Sequence, residues 1–428
     1  MIELTGKYTS AKIMIDTVDE KCRLQIIEMI NHEAFTNPVS IMPDCHSGTG
    51  SVIGFTMLVG DKVSPNVVGV DGNCGMLSFN IGKIELDRIE LDKKIREKIP
   101  FGQNIRKKPV LNFERDIVWE YVNPKWSYEW FKSFCKRIGI DPFYAQCSIG
   151  TLGSGNHFIE MGKSISTEDT WVTVHTGSRN LGKKVCEYWQ NVASIKDTIN
   201  FNVGLSEIKI CYSKEEWNDR ILKLRQEINN HKKTELDYIE GENKKLYLED
   251  MEFSSWYAMT NRMYIMNDII ASIIELGNKY SFLDLIEIVH NYIDPKDNII
   301  RKGAIRSYIG EKMIIPLNME DGILICEGKS NSEWNFSAPH GAGRLLSRTK
   351  AKEVLSLEEY KQGMDKKGIF STSIGINTLD ECKKAYKDSD LIIKCIEPTA
   401  TIIDRIIPIH NMKDDSEEKP WKKEKKSV

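Results

Sequence analysis

Short apolar runs rich in β-branched residues, separated by glycine-containing turns, fill the chain up to about residue 200. The runs SVIGFTMLV, NVVGV and WVTVH each have the length and composition of a buried strand. Strand-like runs return after residue 280 as LIEIVH, GILICEG and LIIKCIEP. The pattern therefore predicts strands on both sides of the middle of the chain.

Between about residues 213 and 277 the apolar positions recur at helical spacing instead. Ser213 stands three residues before Glu216, which is the spacing of a capping box. One helix face then carries Trp217, Ile221, Leu224 and Ile228. A second helical run, SSWYAMTNRMYIMNDIIASIIEL, follows a charged stretch. Both runs are typical of amphipathic helices that pack against a sheet.

Composition narrows the class of protein. The 428 residues are 41% hydrophobic and 28% charged, which is globular rather than disordered composition. The chain has 59 basic and 62 acidic side chains, so its net charge is −3. Any surface that contacts RNA or DNA must therefore be a local one. No apolar run reaches the roughly 18 residues that a membrane span needs.

These observations together predict a mixed α/β (α+β) fold. We expect one large domain over residues 1–413, with a helical insertion at about 213–277, followed by a polar tail over 414–428. The ten cysteines form no CxxC pair, and the N-terminus has no basic region followed by an apolar core. We therefore expect a cytoplasmic protein with reduced thiols and no membrane partner.

Several residues with metal-binding side chains follow the predicted strands. His175 ends WVTVH, His290 ends LIEIVH, and Asp71 and Cys74 follow NVVGV in the tight loop DGNCG. The segment GTLGSGNHFIE adds Asn156, His157 and Glu160. Each residue alone is more typical of a protein core, but residues past the carboxyl ends of several strands can converge on one crevice. The set predicts a metal site, and thiolate with imidazole points first to zinc.

A second constellation is SAPHGAGRLLSR. His340 precedes Gly341 and Gly343, so a phosphate could approach the backbone beside the imidazole. Arg344 and Arg348 would share one face of a helix starting here, and arginine suits phosphate oxygens. Histidine can act as a covalent nucleophile, so the segment could carry a phosphoryl or nucleotidyl group. A glycine-rich turn leading into a helix with solvated arginines explains the spacing equally well.

Seven motifs resemble those of the RtcB family of RNA ligases, and they occur in the same order. They cover residues 1 to about 413 and read MPDCHSGTGSVIG, VVGVDGNCGM, GTLGSGNHFIE, VHTGSRNLG, HNYI, RKGAI and SAPHGAGRLLSR. The resemblance implies an RNA ligase with the family's own mixed α/β fold. Such an enzyme joins an RNA 3'-phosphate or 2',3'-cyclic phosphate end to a 5'-hydroxyl end with GTP and two manganese ions, through a histidine-GMP intermediate.

The resemblance also implies residue roles. His340 would be guanylylated, one manganese would be held by Asp71, Cys74 and His157, and the second by Cys74, His175 and His290. Manganese thereby replaces the zinc that the side chains alone suggest. The guanylate would contact Asn156, Glu160, Asn291, Pro316, Asn318, Met319, Gly341, Ala342, Gly343 and Lys413. RNA or phosphate would contact Arg179 and Arg344.

The chain departs from the family pattern in three segments. The family's Asp-Ile-Gly-Cys loop is Asp-Gly-Asn-Cys at 71–74, which keeps both metal ligands. The Pro-Gly-Ser-Met-Gly-Thr stretch that meets the guanine is Pro-Leu-Asn-Met-Glu-Asp at 316–321, so the guanine loses a serine contact. Ile300 replaces the histidine before RKGA.

Three functions are compatible with the sequence. The first is the RNA ligase, acting in tRNA splicing or RNA repair. The second is a metal-dependent phosphodiesterase that opens cyclic phosphate ends without joining them. The third is an RNA-end binding protein that has lost ligation through its changed guanine pocket. Because the metal ligands and His340 are all present, the sequence favours the ligase.

Overall fold

Seven antiparallel strands form the larger of two main sheets in the computed structural model, which describes residues 1–116, 122–194, 201–230 and 234–416. Across this sheet the strands run in the order β12 (Lys312–Asn318), β13 (Gly322–Gly328), β15 (Ala400–Met412), β6 (Phe158–Ser164), β7 (Thr170–Thr176), β5 (Gly75–Asn80) and β8 (Asp284–Val289). Residues 417–428 of the predicted polar tail lie outside the described residues.

A six-stranded sheet packs beside it. Its order is β1 (Ile2–Thr5), β2 (Ser10–Ile13), β3 (Val39–His46), β4 (Ile53–Leu58), β10 (Ile299–Lys302) and β9 (Asn291–Ile293). A short pair, β11 (Ala304–Arg306) and β14 (Ser337–Pro339), leads into the SAPHGAGR segment. His290 lies between β8 of the larger sheet and β9 of the smaller one. The chain therefore passes from one sheet to the other at a predicted metal ligand.

Helices cover the sheets and connect their strands. The described helices are α1 (Glu20–Ile30), α2 (Pro65–Val68), α3 (Arg88–Lys98), α4 (Tyr128–Ile138), α5 (Pro142–Ser148), α6 (Arg179–Ser194), α7 (Phe201–Cys211), α8 (Trp217–Asn230), α9 (Gly241–Glu275), α10 (Arg348–Val354), α11 (Leu357–Lys366) and α12 (Ser389–Cys395), with short 3-10 turns at Ser332–Trp334, Ile376–Glu381 and Lys383–Ala385. The mixed α/β prediction is confirmed. The predicted helical insertion corresponds to α8 and α9, and α7 already precedes it.

Two predicted strands are wrong. NVVGV forms the short helix α2, which starts with a proline at its first position, where the fixed φ and missing N–H are tolerated. LIIKCIEP forms α12, whose first turn is capped by the Asp388 carboxylate. The strand-and-loop interpretation of the first 200 residues also missed five longer helices, although caps such as Asp87, Ser127 and Asp141 mark three of their starts.

Helix α9 joins the core to the edge of the larger sheet. Its Phe253 is fully buried in a cluster of aromatic rings that includes Trp126 and Phe134. Two turns later Asn261 and Arg262 are buried, and they donate to the backbone carbonyl oxygens of Gly177 and Thr176 at the end of β7. The helix therefore fixes the loops that follow the strands.

Within the described ranges, no helix combines the length and apolarity needed to cross a bilayer.

Candidate metal and nucleotide site

The strand register explains why the predicted metal ligands meet. Strand β5 runs antiparallel between β7 and β8, with Gly75 opposite both Thr176 and Val289. Cys74 precedes β5, whereas His175 and His290 lie at the carboxyl ends of the neighbouring strands. His157 precedes β6, which is also antiparallel to β7. We expected Asp71, Cys74, His175 and His290 to follow the carboxyl ends of strands, but Cys74 instead precedes the amino end of β5, as His157 precedes that of β6. Antiparallel neighbours place opposite strand ends on one edge, so these residues still meet.

Two trios of possible metal ligands share the Cys74 sulfur. The ligand atoms of Cys74, His175 and His290 lie within 4.8 Å of one another, as do those of Asp71, Cys74 and His157. The Cys74 sulfur is 3.2 Å from His175 Nε2 and 3.5 Å from His157 Nε2. Between the two trios the thiol is therefore placed to bridge a pair of ions.

The protonation of these groups suits metal binding. His157 Nδ1 lies 2.9 Å from the Leu152 carbonyl oxygen and donates to it, which orients the ring with Nε2 toward Cys74. Burial and the neighbouring charges lower the pKa of both His175 and His290, so these imidazoles are neutral. Desolvation alone would raise the pKa of Asp71, but the His157 imidazole brings it to about 2.

The pKa of Cys74 is shifted away from the form that binds metal, unlike those of the neighbouring ligands. Burial and the Asp71 carboxylate raise its pKa well above the usual thiol value. A thiol in such surroundings loses its proton when a cation coordinates the sulfur, because the cation stabilises the thiolate directly. The donor set therefore fits divalent metal ions. The Cys74 thiolate is the donor that such ions would stabilise most.

The altered loop between Asp71 and Cys74 keeps the ligands in place. Asn73 has a left-handed backbone with φ of 60°, a conformation that asparagine tolerates better than most side chains. Its N–H donates to the Asn291 carbonyl oxygen at 2.7 Å, and its carbonyl oxygen accepts from Arg262 at 3.3 Å. The loop is thus tied to both β9 and α9.

His340 is held by a carboxylate that sequence analysis missed. Its Nδ1 lies 2.7 Å from Asp44 Oδ2 and 2.8 Å from the Gly303 carbonyl oxygen. Asp44 is fully buried in β3, and the signal for it was a lone carboxylate inside an apolar run, which needs a partner when buried. Since Nδ1 donates its proton to these oxygens, Nε2 keeps its lone pair. The ring also stacks on His290 at 4.6 Å.

A cavity of about 390 Å³ opens between the two sheets beside His340. All ten residues assigned to the guanylate line it, together with the ligands Asp71, His175 and His290. Glu160 is buried at the end of the cavity near Asn411, and burial raises its pKa to about 8. Glu160 Oε1 and the side-chain amide oxygen Oδ1 of Asn411 have no hydrogen-bond partner within the described part of the chain. They are available to a ligand.

Asn318 lies at the cavity wall, but its side chain is engaged elsewhere. The amide nitrogen donates to Asp321 at 2.9 Å, and the amide oxygen accepts from the N–H groups of Glu320 and Asp321. The side chain therefore closes the turn between β12 and β13. It does not replace the polar contact that the family's serine gives to a base.

The C-terminal end of β15 places Lys413 in the cavity. Its ammonium lies 3.1 Å from Glu381, and both side chains are buried. Arg344 and Arg348 also contact Glu381, at 2.5 and 3.0 Å. Helix α10 begins only at Arg348, so the two arginines converge from a loop and a helix end. Removing one partner of a buried ion pair costs roughly 3–5 kcal/mol, so Lys413 also matters for stability.

Arg179 lies outside the cavity. It opens α6 with a left-handed backbone, and its guanidinium donates to Thr151 Oγ1 at 3.1 Å and to the Gly102 carbonyl oxygen at 2.9 Å.

Lys302 is a further cavity residue that we did not predict. It is buried, donates to the carbonyl oxygens of Thr49 and Asn66, and has a pKa that burial lowers to about 8. The motif RKGAI contained it without indicating its role.

A family model described as tRNA-splicing ligase RtcB matches residues 25–137 and 142–414. The chain belongs to the RtcB family. This match confirms the family that the seven motifs predicted.

Curated relatives of this RtcB family member come from bacteria and archaea. The RNA-splicing ligase RtcB of Escherichia coli strain K12 is 26% identical over 404 residues, which cover 88% of this chain and 90% of the relative. The tRNA-splicing ligase RtcB of Methanococcus maripaludis is 26% identical over 425 residues, covering 81% of each. That of Nanoarchaeum equitans is 24% identical over 458 residues, covering 90% of each.

The shared position of Cys74 yields a prediction about metal content. After loading with manganese, the wild-type chain should retain two ions per molecule by mass spectrometry, whereas Cys74→Ala should weaken both sites. The loss should exceed the roughly 10–100-fold that follows removal of an outer-shell partner, since a direct ligand is lost from each trio. Cys326→Ala, which removes a buried thiol from β13, is the matched control and should keep both ions. Two ions bound by Cys74→Ala with unchanged affinity would refute the shared ligand.

Proposed function

We propose that the chain is a GTP- and manganese-dependent RNA ligase. It joins an RNA 3'-phosphate or 2',3'-cyclic phosphate end to a 5'-hydroxyl end, in tRNA splicing or RNA repair. The observation that carries this proposal is the pairing of His340 Nδ1 with Asp44 and Gly303, which leaves a nucleophilic Nε2 at a cavity shared with two metal-ligand trios. All ten cysteines are unpaired, which suits the reducing cytoplasm.

His340 performs the first step. Its Nε2 attacks the α-phosphorus of GTP, a nitrogen–phosphorus bond forms, the bond to the β-phosphate oxygen breaks, and pyrophosphate leaves. The imidazole becomes positively charged as the bond forms, and the Asp44 carboxylate stabilises that charge while keeping the ring oriented. A hydrogen bond to a charged partner is worth roughly 1.5–3 kcal/mol, which suits a role in orientation.

Two transfers complete the reaction. An oxygen of the RNA 3'-phosphate attacks the phosphorus on His340, and the imidazole leaves. The 5'-hydroxyl oxygen of the second strand then attacks the RNA phosphorus, its proton is lost, and GMP leaves. A 2',3'-cyclic phosphate must first be opened by water to a 3'-phosphate. Lys302 supports the phosphates in the cavity, because its buried ammonium gains charge stabilisation from an anion.

Manganese ions bound by the two trios would supply positive charge to the phosphate oxygens during these displacements. Asp71, Cys74 and His157 would hold one ion, and Cys74, His175 and His290 the other. Thiolate and imidazole also suit zinc, so the choice of manganese is inferred from the family rather than from the ligands. Comparing activity with each metal decides between them.

The proposal predicts a covalent adduct on His340. Labelled GTP with manganese should leave an acid-labile GMP on the wild-type chain and none on His340→Ala, because the phosphoramidate needs Nε2. His32→Ala, a histidine outside the cavity, should label as the wild type does. With nicked RNA bearing a 3'-phosphate and a 5'-hydroxyl, the wild type should join the ends. Opening of cyclic ends without joining, or RNA binding alone, would contradict the ligase and indicate the alternative functions.

The raised pKa of Glu160 predicts pH-dependent base choice. Above pH 8 Glu160 is ionised, and its two acceptor oxygens suit the N1–H and amino group of guanine. Below pH 8 it is protonated, and a neutral carboxyl that donates one hydrogen bond and accepts one also suits adenine. The ratio of GMP to AMP adduct should therefore rise as pH increases from 6.5 to 9.

Glu160→Gln is the control for base choice, since an amide mimics the neutral carboxyl and does not titrate. Its GMP-to-AMP ratio should stay constant across the same pH range. No detectable adduct from millimolar ATP at any pH would contradict the prediction.

A further inference from the structure

Strand β3 bulges at the point where it carries Asp44. Its pairing with β4 ends at Ile41 and resumes at His46, so the four residues of β3 between them face a single residue of β4. A bulge changes the direction in which side chains point, and this one directs the Asp44 carboxylate at His340. The carbonyl oxygens of the bulge are not paired with β4 and therefore need other partners.

The ammonium group of Lys387 provides those partners. Its Nζ donates to the carbonyl oxygen of Pro43 at 2.9 Å and to that of Cys45 at 2.7 Å. A lysine ammonium has three hydrogens to donate, so it can hold both oxygens at once. The backbone of β3 is therefore fixed directly before Asp44 and one residue after it by the same side chain.

The backbone of Lys387 is bonded to the loop that follows His340. The Lys387 N–H donates to the Gly343 carbonyl oxygen at 3.0 Å, and the Leu345 N–H donates to the Ala385 carbonyl oxygen at 2.9 Å. The two bonds form a short antiparallel bridge between these segments. Lys387 is thus fixed through its backbone to the segment of the nucleophile, while its ammonium holds the segment of the carboxylate.

Gly343 allows the two segments to come into contact. A β-carbon at this position would overlap the backbone of Asp44, and the φ of 74° lies in the left-handed region that favours glycine. The distance of 2.7 Å between Asp44 Oδ2 and His340 Nδ1 therefore depends on close contact between two backbones. Lys387 bonds both of them.

Lys387 lies outside the nucleotide cavity. Its side chain is half-buried, and it is not among the described residues that line the cavity, whereas Lys302 and Lys413 are. Lys387 is therefore not placed to contact GTP. An effect of this lysine on the first chemical step would be exerted through Asp44.

We propose that Lys387 is a positioning residue for the attack of His340 on GTP. It holds the bulge of β3 so that the Asp44 carboxylate faces His340 Nδ1, which keeps Nε2 directed into the cavity and stabilises the charge that the ring acquires. This inference rests on the proposed ligase function and adds to it the residue that holds the Asp44–His340 pair together.

The first test separates rate from affinity. Lys387→Met keeps an apolar stem but loses the ammonium, so kcat for guanylylation should fall about tenfold or more, with KM for GTP within twofold of the wild type. Lys387→Arg keeps the charge and can donate to two carbonyl oxygens, so it should recover most of that loss. The matched control is Lys244→Met, which removes a lysine of α9 that donates to the Gly60 carbonyl oxygen. It should react as the wild type does.

The second test asks whether Lys387 acts through Asp44. When Lys387→Met is added to Asp44→Ala, the guanylylation rate should change less than twofold, because the group that the lysine positions is already absent. An equal loss in the wild-type and Asp44→Ala backgrounds would show that Lys387 acts independently of Asp44 and would overturn the proposal.

The third test does not depend on activity. The Nδ1–H proton of His340, donated to a carboxylate, should give a downfield proton NMR resonance in protein with isotope-labelled histidine, assigned by its loss in His340→Ala. Lys387→Met should move this resonance upfield or abolish it, whereas Lys387→Arg and Lys244→Met should keep it. A merely structural lysine would lower the melting temperature of Lys387→Met without moving the resonance.

An unshifted resonance in Lys387→Met would overturn the proposal, whatever the rate. A raised KM for GTP with unchanged kcat would also overturn it, because the lysine would then act on nucleotide binding. If the wild type forms no adduct with GTP, the ligase function itself fails, and the resonance alone decides whether Lys387 positions Asp44. The resonance also decides if Asp44→Ala reacts too slowly to be timed.

Discussion

The antiparallel placement of β5 between β7 and β8 is the constraint on which the site depends. It brings Cys74, at the start of one strand, against His175 and His290, at the ends of its two neighbours. A one-residue slip of β5 would turn every side chain of the strand to the other face and separate the sulfur from both imidazoles. The hydrophobic residues of the larger sheet, which hold this register from both faces, therefore also determine the geometry of the site.

The second constraint is that some polar groups of the site are buried without a hydrogen-bond partner in the protein. The unpartnered Glu160 Oε1 and Asn411 Oδ1, and the buried thiol of Cys74 beside the Asp71 carboxylate, all reduce the stability of the chain without ligand. Neighbouring groups have their hydrogen bonds and charges satisfied. Asn261 and Arg262 donate to backbone carbonyl oxygens at the end of β7, and Glu381 forms ion pairs with Lys413, Arg344 and Arg348. Ligand binding would then recover part of the free energy that burying these groups costs.

Much of this arrangement could be predicted where the residues of an element themselves indicate its secondary structure. WVTVH, LIEIVH and GILICEG are strands, and the histidines that end the first two converge as expected. NVVGV and LIIKCIEP have equally β-branched runs, but a proline at the first helical position and an aspartate cap start helices there instead. Asp44 was missed because its partner His340 is 296 residues away along the chain, and a separation of that size leaves no pattern in a single sequence. The Asn318 side chain is different, because its partners Glu320 and Asp321 are local and it closes the turn that follows it.

The central claim is that one sulfur, placed by strand register, serves two metal ions next to a nucleophilic histidine. Anomalous diffraction from crystals of the wild-type chain grown with manganese tests it most directly. The account predicts two manganese peaks, one beside Asp71 and His157 and one beside His175 and His290, both within bonding distance of the Cys74 sulfur. A single peak, or two peaks of which one lies beyond bonding distance of that sulfur, would contradict it.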